Sequence, residues 1–279
     1  MIGYLELTKP RIASFVVFTT WLGWRFAGVP DAPGLWWTLL GTGLASASAG
    51  TLNQWLEVDQ DALMRRTSRR PLPSGRITPE AALAFGVSIG AAGLGILAAR
   101  VGPLPAFLAG LTLALYLGAY TPLKRLSPHS TWPGAVSGAI PPMIGWAAAK
   151  GELGAGAWAL FSIQFLWQMP HFLALFWLNR EEYGKAGFRV LSVVDPGGRG
   201  TAFQIAVHSL GLLVATLMPA LFGLAGLGYG LGALLLGTLF LGMALKTAWT
   251  MRAEDHRLLF RASLAYLPAV FGLLAAGAP

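Results

Sequence analysis

The sequence predicts an all-α protein that crosses a membrane repeatedly, with about nine helices. Three observations predict it. Of 279 residues, 55% are hydrophobic and only 11% are charged, against roughly 25% charged in an average soluble domain. So few charges cannot cover a soluble surface, whereas lipid permits it. Apolar stretches close to the roughly 20 residues that a helix needs to span a bilayer recur from end to end. The basic residues fall between these stretches, almost all on alternate connections. Abundant glycine, 36 residues, suits helices that approach closely in lipid.

The expected spans are 12–28, 35–56, 79–99, 104–121, 132–149, 155–178, 202–224, 229–250 and 258–277. Gly102-Pro103 marks a turn between the third and fourth. Segment 251–257 is too charged for the bilayer core. No soluble domain or linker stands out, so residues 1–279 read as one transmembrane domain. The start lacks the basic region and cleavage site of a secretory signal, so the first span is expected to persist. With no cysteine, disulfides, thiolate metal sites and cysteine nucleophiles are excluded.

Of the 20 Lys and Arg residues, only Arg25, Arg100 and Lys150 lie on the short connections after the odd-numbered spans. The rest mark the other face as cytoplasmic, with the N-terminus on that side. The formal charge of +8 is therefore a topology signal and gives no reason to expect a nucleic-acid partner. The long polar connections 57–78, 122–131, 179–201 and 251–257 share that face. Loops on a rigid scaffold commonly carry function, so chemistry is expected at the cytoplasmic mouth.

The richest segment runs from Asn53 to Leu72. Asn53, Glu57 and Asp61, spaced i, i+4, i+8, form one stripe if the helix continues. A carboxylate facing lipid costs at least a few kcal/mol, so the stripe should face the interior or the aqueous mouth. Hard oxygen donors on one stripe suit Mg²⁺ bridging carboxylates to substrate phosphates. Asp59 lies off this stripe and is expected to be solvated or to serve elsewhere. Arg66, Arg69 and Arg70 follow directly, and guanidinium forks match phosphate oxygens. Taken alone, the segment also reads as a surface salt-bridge network beside topology anchors.

Tyr120 and Thr121 with Lys124 and Arg125 form a second basic site, equally readable as an aromatic belt with an anchor. Trp167, Gln168, Pro170, His171 and Phe172 form a third, inside the sixth span. Gln and His there should avoid lipid, and His171 also reads as a packing residue. Asn179 to Lys185 adds an acid and base cluster on the same face. His208 reads as packing, and His129 and His256 as loop residues.

Together these segments resemble the UbiA-type intramembrane prenyltransferases, and among them the protohaem IX farnesyltransferases. The superfamily motif Asn-x-x-x-Asp-x-x-x-Asp falls on Asn53, Glu57 and Asp61. The haem-specific resemblance lies in Lys9-Pro10-Arg11, in Asp59, Asp61, Met64, Arg66, Thr67, Arg70, Pro71 and Leu72, and in Tyr120, Thr121, Lys124 and Arg125. It continues through Gly138, Ala139, Pro141, Pro142, Gly145 and Trp146, then Trp167, Gln168, Pro170, His171 and Phe172, and ends at Tyr183, Ala186 and Gly187. The matches keep their order as far as about residue 190. Two departures stand out. Glu57 replaces the usual Asp, and the second aspartate-rich motif is absent, the region reading Asn179, Arg180, Glu181, Glu182, Tyr183.

The resemblance implies helices around a central cavity, polar cytoplasmic loops, and the plasma membrane of a prokaryote. It implies a Mg²⁺-dependent transfer of farnesyl from farnesyl diphosphate to a vinyl group of haem b, with water addition giving haem O. A haem A synthase is a candidate partner. Asn53, Glu57 and Asp61 are the expected metal ligands, with Glu182 a candidate at a second site. Arg66, Arg70, Lys124 and Arg125 are expected to neutralise diphosphate. His171 is the candidate for haem iron or for orienting acceptor and water, with Trp167, Gln168 and Tyr120 as haem or prenyl contacts. The alternatives are the same chemistry on a quinone or chlorophyll-type acceptor, and a membrane haem carrier or transporter.

Overall fold

A computed structural model describes residues 2–277, and all regular structure among them is helical. A short helix α1 (Ile2–Leu7) leads into α2 (Pro10–Phe26) and α3 (Pro33–Leu56). A one-and-a-half-turn helix α4 (Val58–Leu63) follows, then α5 (Pro79–Arg100). Helix α6 (Pro103–Leu113) widens into a π-helical stretch, Ala114–Tyr120, and ends as α7 (Thr121–Leu126). Next come α8 (Thr131–Ala139), α9 (Pro141–Lys150), α10 (Ala155–Leu178), α11 (Arg180–Lys185) and α12 (Leu191–Val194). The chain finishes with α13 (Arg199–Leu221), α14 (Leu227–Thr250) and α15 (Ala253–Gly277).

Six helical runs are long and apolar enough to cross a membrane: 103–126 together with α5, α10, α13, α14 and α15. The expected count of nine is not reached on that criterion, although the other three expected spans are also helical. Helix α2 has 17 residues. Helix α3 has 24, but Gly, Ser, Thr, Asn53 and Gln54 dilute its apolar content. The span expected at 132–149 divides at Ile140. Pro141 and Pro142 cause the division, because neither can donate a backbone hydrogen bond to the preceding turn.

Small residues set how closely the helices approach. A Cβ on Gly23 would overlap the carbonyl of Pro142, and one on Gly145 would overlap that of Thr20. The α2–α9 crossing is therefore backbone against backbone, as small residues allow in lipid. Gly93 meets the carbonyl of Gly41 across the α3–α5 crossing, where an added Cβ would sit 2.7 Å away. Two apolar cores result. One joins α2 and α10 with α13, α14 and α15, and the other joins α2, α3, α5, α6, α9 and α10.

Between α2, α3, α6, the π-helical stretch, α8, α9 and α10 lies a cavity of about 210 Å³. Its wall is mostly apolar: Ile12, Val16, Ala45, Ala49, Leu113 and Phe172. Lys9, Tyr116, Tyr120 and Gln168 supply its polar ends.

Segment 251–257 departs from the sequence reading. Only Met251 and Arg252 are outside helix, and α15 begins at Ala253. His256, expected in a loop, is fully buried. Its ring lies 5.3 Å from Trp177, and its Nδ1 is 3.0 Å from the Arg252 carbonyl. Asp255 is buried beside it, while Glu254 and Arg257 stay exposed. The charge density that suggested a loop is thus carried by the outer side of a first helical turn.

Candidate active site

The stripe of Asn53, Glu57 and Asp61 forms, although the helix beneath it does not run straight through. Helix α3 ends at Leu56 and Glu57 leaves helical geometry (φ −110°, ψ 18°). The four-residue spacing survives because the Glu57 N–H donates to the Asn53 carbonyl (3.1 Å) and the Asp61 N–H to the Glu57 carbonyl (2.8 Å). All three side chains are buried, at 2%, 5% and 1% exposure. Asp59 is exposed.

Each buried oxygen group has its own cation, drawn from a different segment. Lys9 Nζ donates to Asn53 Oδ1 at 2.6 Å. Lys124 pairs with Glu57 Oε1. Arg70 donates to Asp61 Oδ2 at 2.6 Å. The other end of the Asn53 amide donates to Thr121 Oγ1 (3.1 Å), and Thr121 donates to the Tyr116 carbonyl (2.8 Å). That last bond spans five residues of the wide π turn. The turn sets Tyr116 and Tyr120 5.3 Å apart, both on the cavity wall. Such bulges recur at functional sites.

The mouth is roofed by the 179–201 connection. The Arg189 N–H donates to the Lys124 carbonyl (2.7 Å). Met64, Phe176, Tyr183, Phe188 and Val190 form a buried cluster over it. The Lys124 ammonium sits 4.7 Å from the Tyr120 ring and 5.2 Å from the Phe188 ring, where ring quadrupoles favour a cation. Arg66 is exposed and reaches Tyr183 Oη at 3.5 Å. Helix α1 forms the rim. Leu7 is fully buried against Leu72, Ile77 and Ala82. Its carbonyl accepts from Gln54 Nε2 (2.9 Å), and Glu6 pairs with Arg76 at 2.6 Å.

Three cations, Lys9, Lys124 and Arg70, thus face two carboxylates, Glu57 and Asp61. With Lys9 protonated, the inner mouth carries net positive charge at the head of an apolar cavity. That combination fits an amphiphile with an anionic head.

A family model described as the UbiA prenyltransferase family matches residues 14–267. The chain belongs to that family. The family chain is 43% identical to a protoheme IX farnesyltransferase of Solibacter usitatus, covering 98% of each protein. It is 43% identical to one of Opitutus terrae, covering 97% of this chain and 92% of the relative. It is 38% identical to the mitochondrial protoheme IX farnesyltransferase of Arabidopsis thaliana, over 97% of this chain and 64% of the relative. Its fold is similar to a structure of digeranylgeranylglyceryl phosphate synthase, with TM-score 0.82 at 15% identity over 99% and 97% of the two chains. A UbiA homolog from Archaeoglobus fulgidus bound to GPP and Mg²⁺ superimposes with TM-score 0.65 at 15% identity, over 98% and 99%.

The donors of this UbiA-family chain fit a hard divalent cation that takes one or two carboxylates and completes its shell with phosphate and water. Glu57 Oε1 and Asp61 Oδ2 are held by Lys124 and Arg70, so a metal would take these oxygens from their resident cations. Among the described residues no group of three acidic or histidine side chains converges. Glu182 therefore does not join Glu57 and Asp61 in one metal site. It is half-buried on α11, and its neighbour Tyr183 is the residue that turns inward.

The other expected residues divide similarly. Tyr120 and Gln168 line the cavity, and Gln168 Nε2 donates to the Ala135 carbonyl (3.1 Å). Trp167 and His171 instead face α15. Trp167 Nε1 donates to the Ser263 carbonyl (2.7 Å), and His171 Nδ1 is 2.7 Å from Ser263 Oγ. The His171 ring is stacked between Trp167 (4.9 Å) and Phe260 (4.7 Å). Lys124 is buried, but Arg125, about 100° further round the helix, is exposed. His208 packs as expected, 5.2 Å from Trp132.

In the sequence Lys9 belongs to the Lys9-Pro10-Arg11 string of the family resemblance and to the basic residues that mark topology, neither of which assigns it a role in the site. Burial, then the nearby Arg70 charge, pulls its ammonium down to about 7. Its backbone is left-handed (φ 50°, ψ 62°), a conformation that costs a non-glycine residue of order 1 kcal/mol and clusters at functional sites.

Proposed function

We propose that this chain transfers the farnesyl group of farnesyl diphosphate to a vinyl group of haem b. Water addition then gives haem O, with diphosphate released. The observation that carries the reading is the buried oxygen stripe, cation-paired, at the head of an aromatic-ended apolar cavity. Near-full-length similarity to protoheme IX farnesyltransferases supplies the acceptor.

Asn53, Glu57 and Asp61 would hold Mg²⁺, which when bound neutralises and orients the leaving diphosphate. Arg70 and Lys124 neutralise the diphosphate from the protein side, and Arg66 adds charge at the rim. The farnesyl chain lies along Ile12, Val16, Ala45, Ala49 and Leu113, where burial contributes about 0.8 kcal/mol per CH₂. Tyr116, Tyr120 and Phe172 present ring faces to the allylic cation that forms when the C–O bond breaks. The vinyl group attacks that cation, and water adds to the carbocation left on the haem side chain, losing a proton to the released diphosphate and leaving the hydroxyl. His171 orients the haem acceptor or contacts its iron through Nε2, since Nδ1 is engaged by Ser263.

Residues 1–279 act as one transmembrane domain in a prokaryotic plasma membrane. The N-terminus and the mouth are cytoplasmic, and product passes to a haem A synthase. The purified chain incubated with haem b, farnesyl diphosphate and Mg²⁺ should yield haem O by mass spectrometry. Prenylation of a quinone precursor instead, or haem binding with no diphosphate release, would refute this function.

A further inference from the structure

Three features of the mouth belong together. The three oxygen groups of the stripe each hold one cation: Asn53 with Lys9, Glu57 with Lys124, and Asp61 with Arg70. Lys9 lines the same cavity as Tyr116 and Tyr120, so its ammonium lies at the junction of stripe and prenyl channel. Its position is built rather than incidental. The backbone at Lys9 is held left-handed between two helices, and the chain on its N-terminal side is pinned by Gln54 donating to the Leu7 carbonyl and by the Glu6–Arg76 pair. A Cβ on Gly50 would sit 3.3 Å from the Thr8 carbonyl oxygen and 3.4 Å from Lys9 Cδ, so the Leu7–Lys9 segment lies directly over α3 at this glycine.

These cations cannot keep their partners once a metal takes the same oxygens. Nor can the metal take them cheaply while the cations stay, because like charges would share one low-dielectric site. A diphosphate resolves both, since it offers each displaced cation a new set of anionic oxygens.

We propose that Lys9 is a further diphosphate-binding residue, and that Lys9, Lys124 and Arg70 exchange partners on loading, leaving the oxygen stripe for the diphosphate and so making metal and diphosphate bind cooperatively. This rests on the farnesyl diphosphate and metal-site reading above. Binding involves no covalent step. Lys9 changes its acceptor from Asn53 Oδ1 to a phosphate oxygen, and Asn53 Oδ1 becomes a metal donor. The apparent affinity for metal alone is held down by the resident cations, and diphosphate relieves that restraint.

The test uses the full chain in lipid nanodiscs and two separate titrations. Mn²⁺ alone is followed by the paramagnetic resonance of the free ion, and farnesyl diphosphate alone by equilibrium dialysis with chelator present. Lys9→Met should bind Mn²⁺ several-fold more tightly and farnesyl diphosphate about tenfold more weakly. Lys9→Arg should restore both values toward the parent. A misfolded variant would lose both affinities, so the opposite signs separate the exchange from damage. Unchanged or weaker Mn²⁺ binding in Lys9→Met, with Lys9→Arg like the parent, overturns the exchange. Unchanged farnesyl diphosphate binding overturns the assignment of Lys9. Asp61→Asn is the control for the underlying reading. If Asp61→Asn binds Mn²⁺ as tightly as the parent, the metal site itself is refuted. If it binds less tightly while Lys9→Met changes nothing, only the exchange fails.

Discussion

The ammonium of Lys124 is set against Glu57 while lying between the rings of Tyr120 and Phe188. Both charged side chains are nearly buried. Removing one partner leaves the other charge desolvated, which in buried pairs costs about 3–5 kcal/mol. Glu57→Gln and Lys124→Met should each lower the thermal unfolding temperature of the purified protein. The double variant should recover much of that loss while making no haem O. Additive destabilisation in this double-mutant cycle would show that the pair is not coupled.

Asp61 is the most buried member of the stripe, and its Arg70 partner is half-exposed. Asp61→Asn keeps the size and removes the charge. Loss of a preorganised electrostatic contact of this kind typically lowers turnover by about 10²–10³. Haem O formation from Asp61→Asn should fall on that scale. Near-normal output would remove the stripe from the mechanism.

The two outer arginines should separate. Both are exposed, but Arg66 reaches Tyr183 Oη at the rim of the mouth, whereas Arg125 lies about 100° round the helix from Lys124. Arg66→Ala should raise the KM for farnesyl diphosphate several-fold, since it removes one guanidinium contact to phosphate. Arg125→Ala should change kinetics less than about twofold, as exposed charges commonly do. Equal effects of the two would contradict the placement of Arg66 at the mouth.

How much of this was written in the sequence varies with the range of the interaction. The stripe was legible because four-residue spacing is local, and it survived even a helix end at Glu57. The division at Ile140 also has a local cause, in Pro141 and Pro142, yet the hydropathy of 132–149 concealed it. Lys9 and Tyr183 were not legible as site residues. Each reaches its partner only through tertiary packing: Lys9 to Asn53 across 44 positions, and Arg66 to Tyr183 across 117. His256 was misplaced for a related reason. Charged neighbours marked its segment as polar, but only the fold shows that His256 and Asp255 face inward.

The cavity wall gives a size test. Ala49 is half-buried and lines the channel beside Ala45 and Ile12. Ala49→Phe would fill space in a cavity of about 210 Å³. Farnesyl transfer should fall at least tenfold, while thermal stability changes by no more than the roughly 1–3 kcal/mol of an overpacked site. A geranyl donor should lose less. Equal loss with both chain lengths would mean that the prenyl chain lies elsewhere.

His171 allows the acceptor reading to be tested apart from the donor. Ser263 Oγ donates to the Phe260 carbonyl (2.6 Å), so the same oxygen receives its second bond from the His171 Nδ1–H at 2.7 Å. The proton thus resides on Nδ1, and Nε2 keeps a lone pair suited to iron or to an acceptor hydrogen bond. A purely structural role rests instead on the stack between Trp167 and Phe260. His171→Phe preserves that stack and removes the lone pair. The variant forfeits the bond to Ser263, about 1 kcal/mol, so its unfolding temperature should fall only slightly. It should keep its affinity for farnesyl diphosphate while losing the absorption shift of added haem b and most haem O output. If His171→Phe instead binds haem b with the parent spectrum and turns over normally, the histidine serves only to pack α10 against α15.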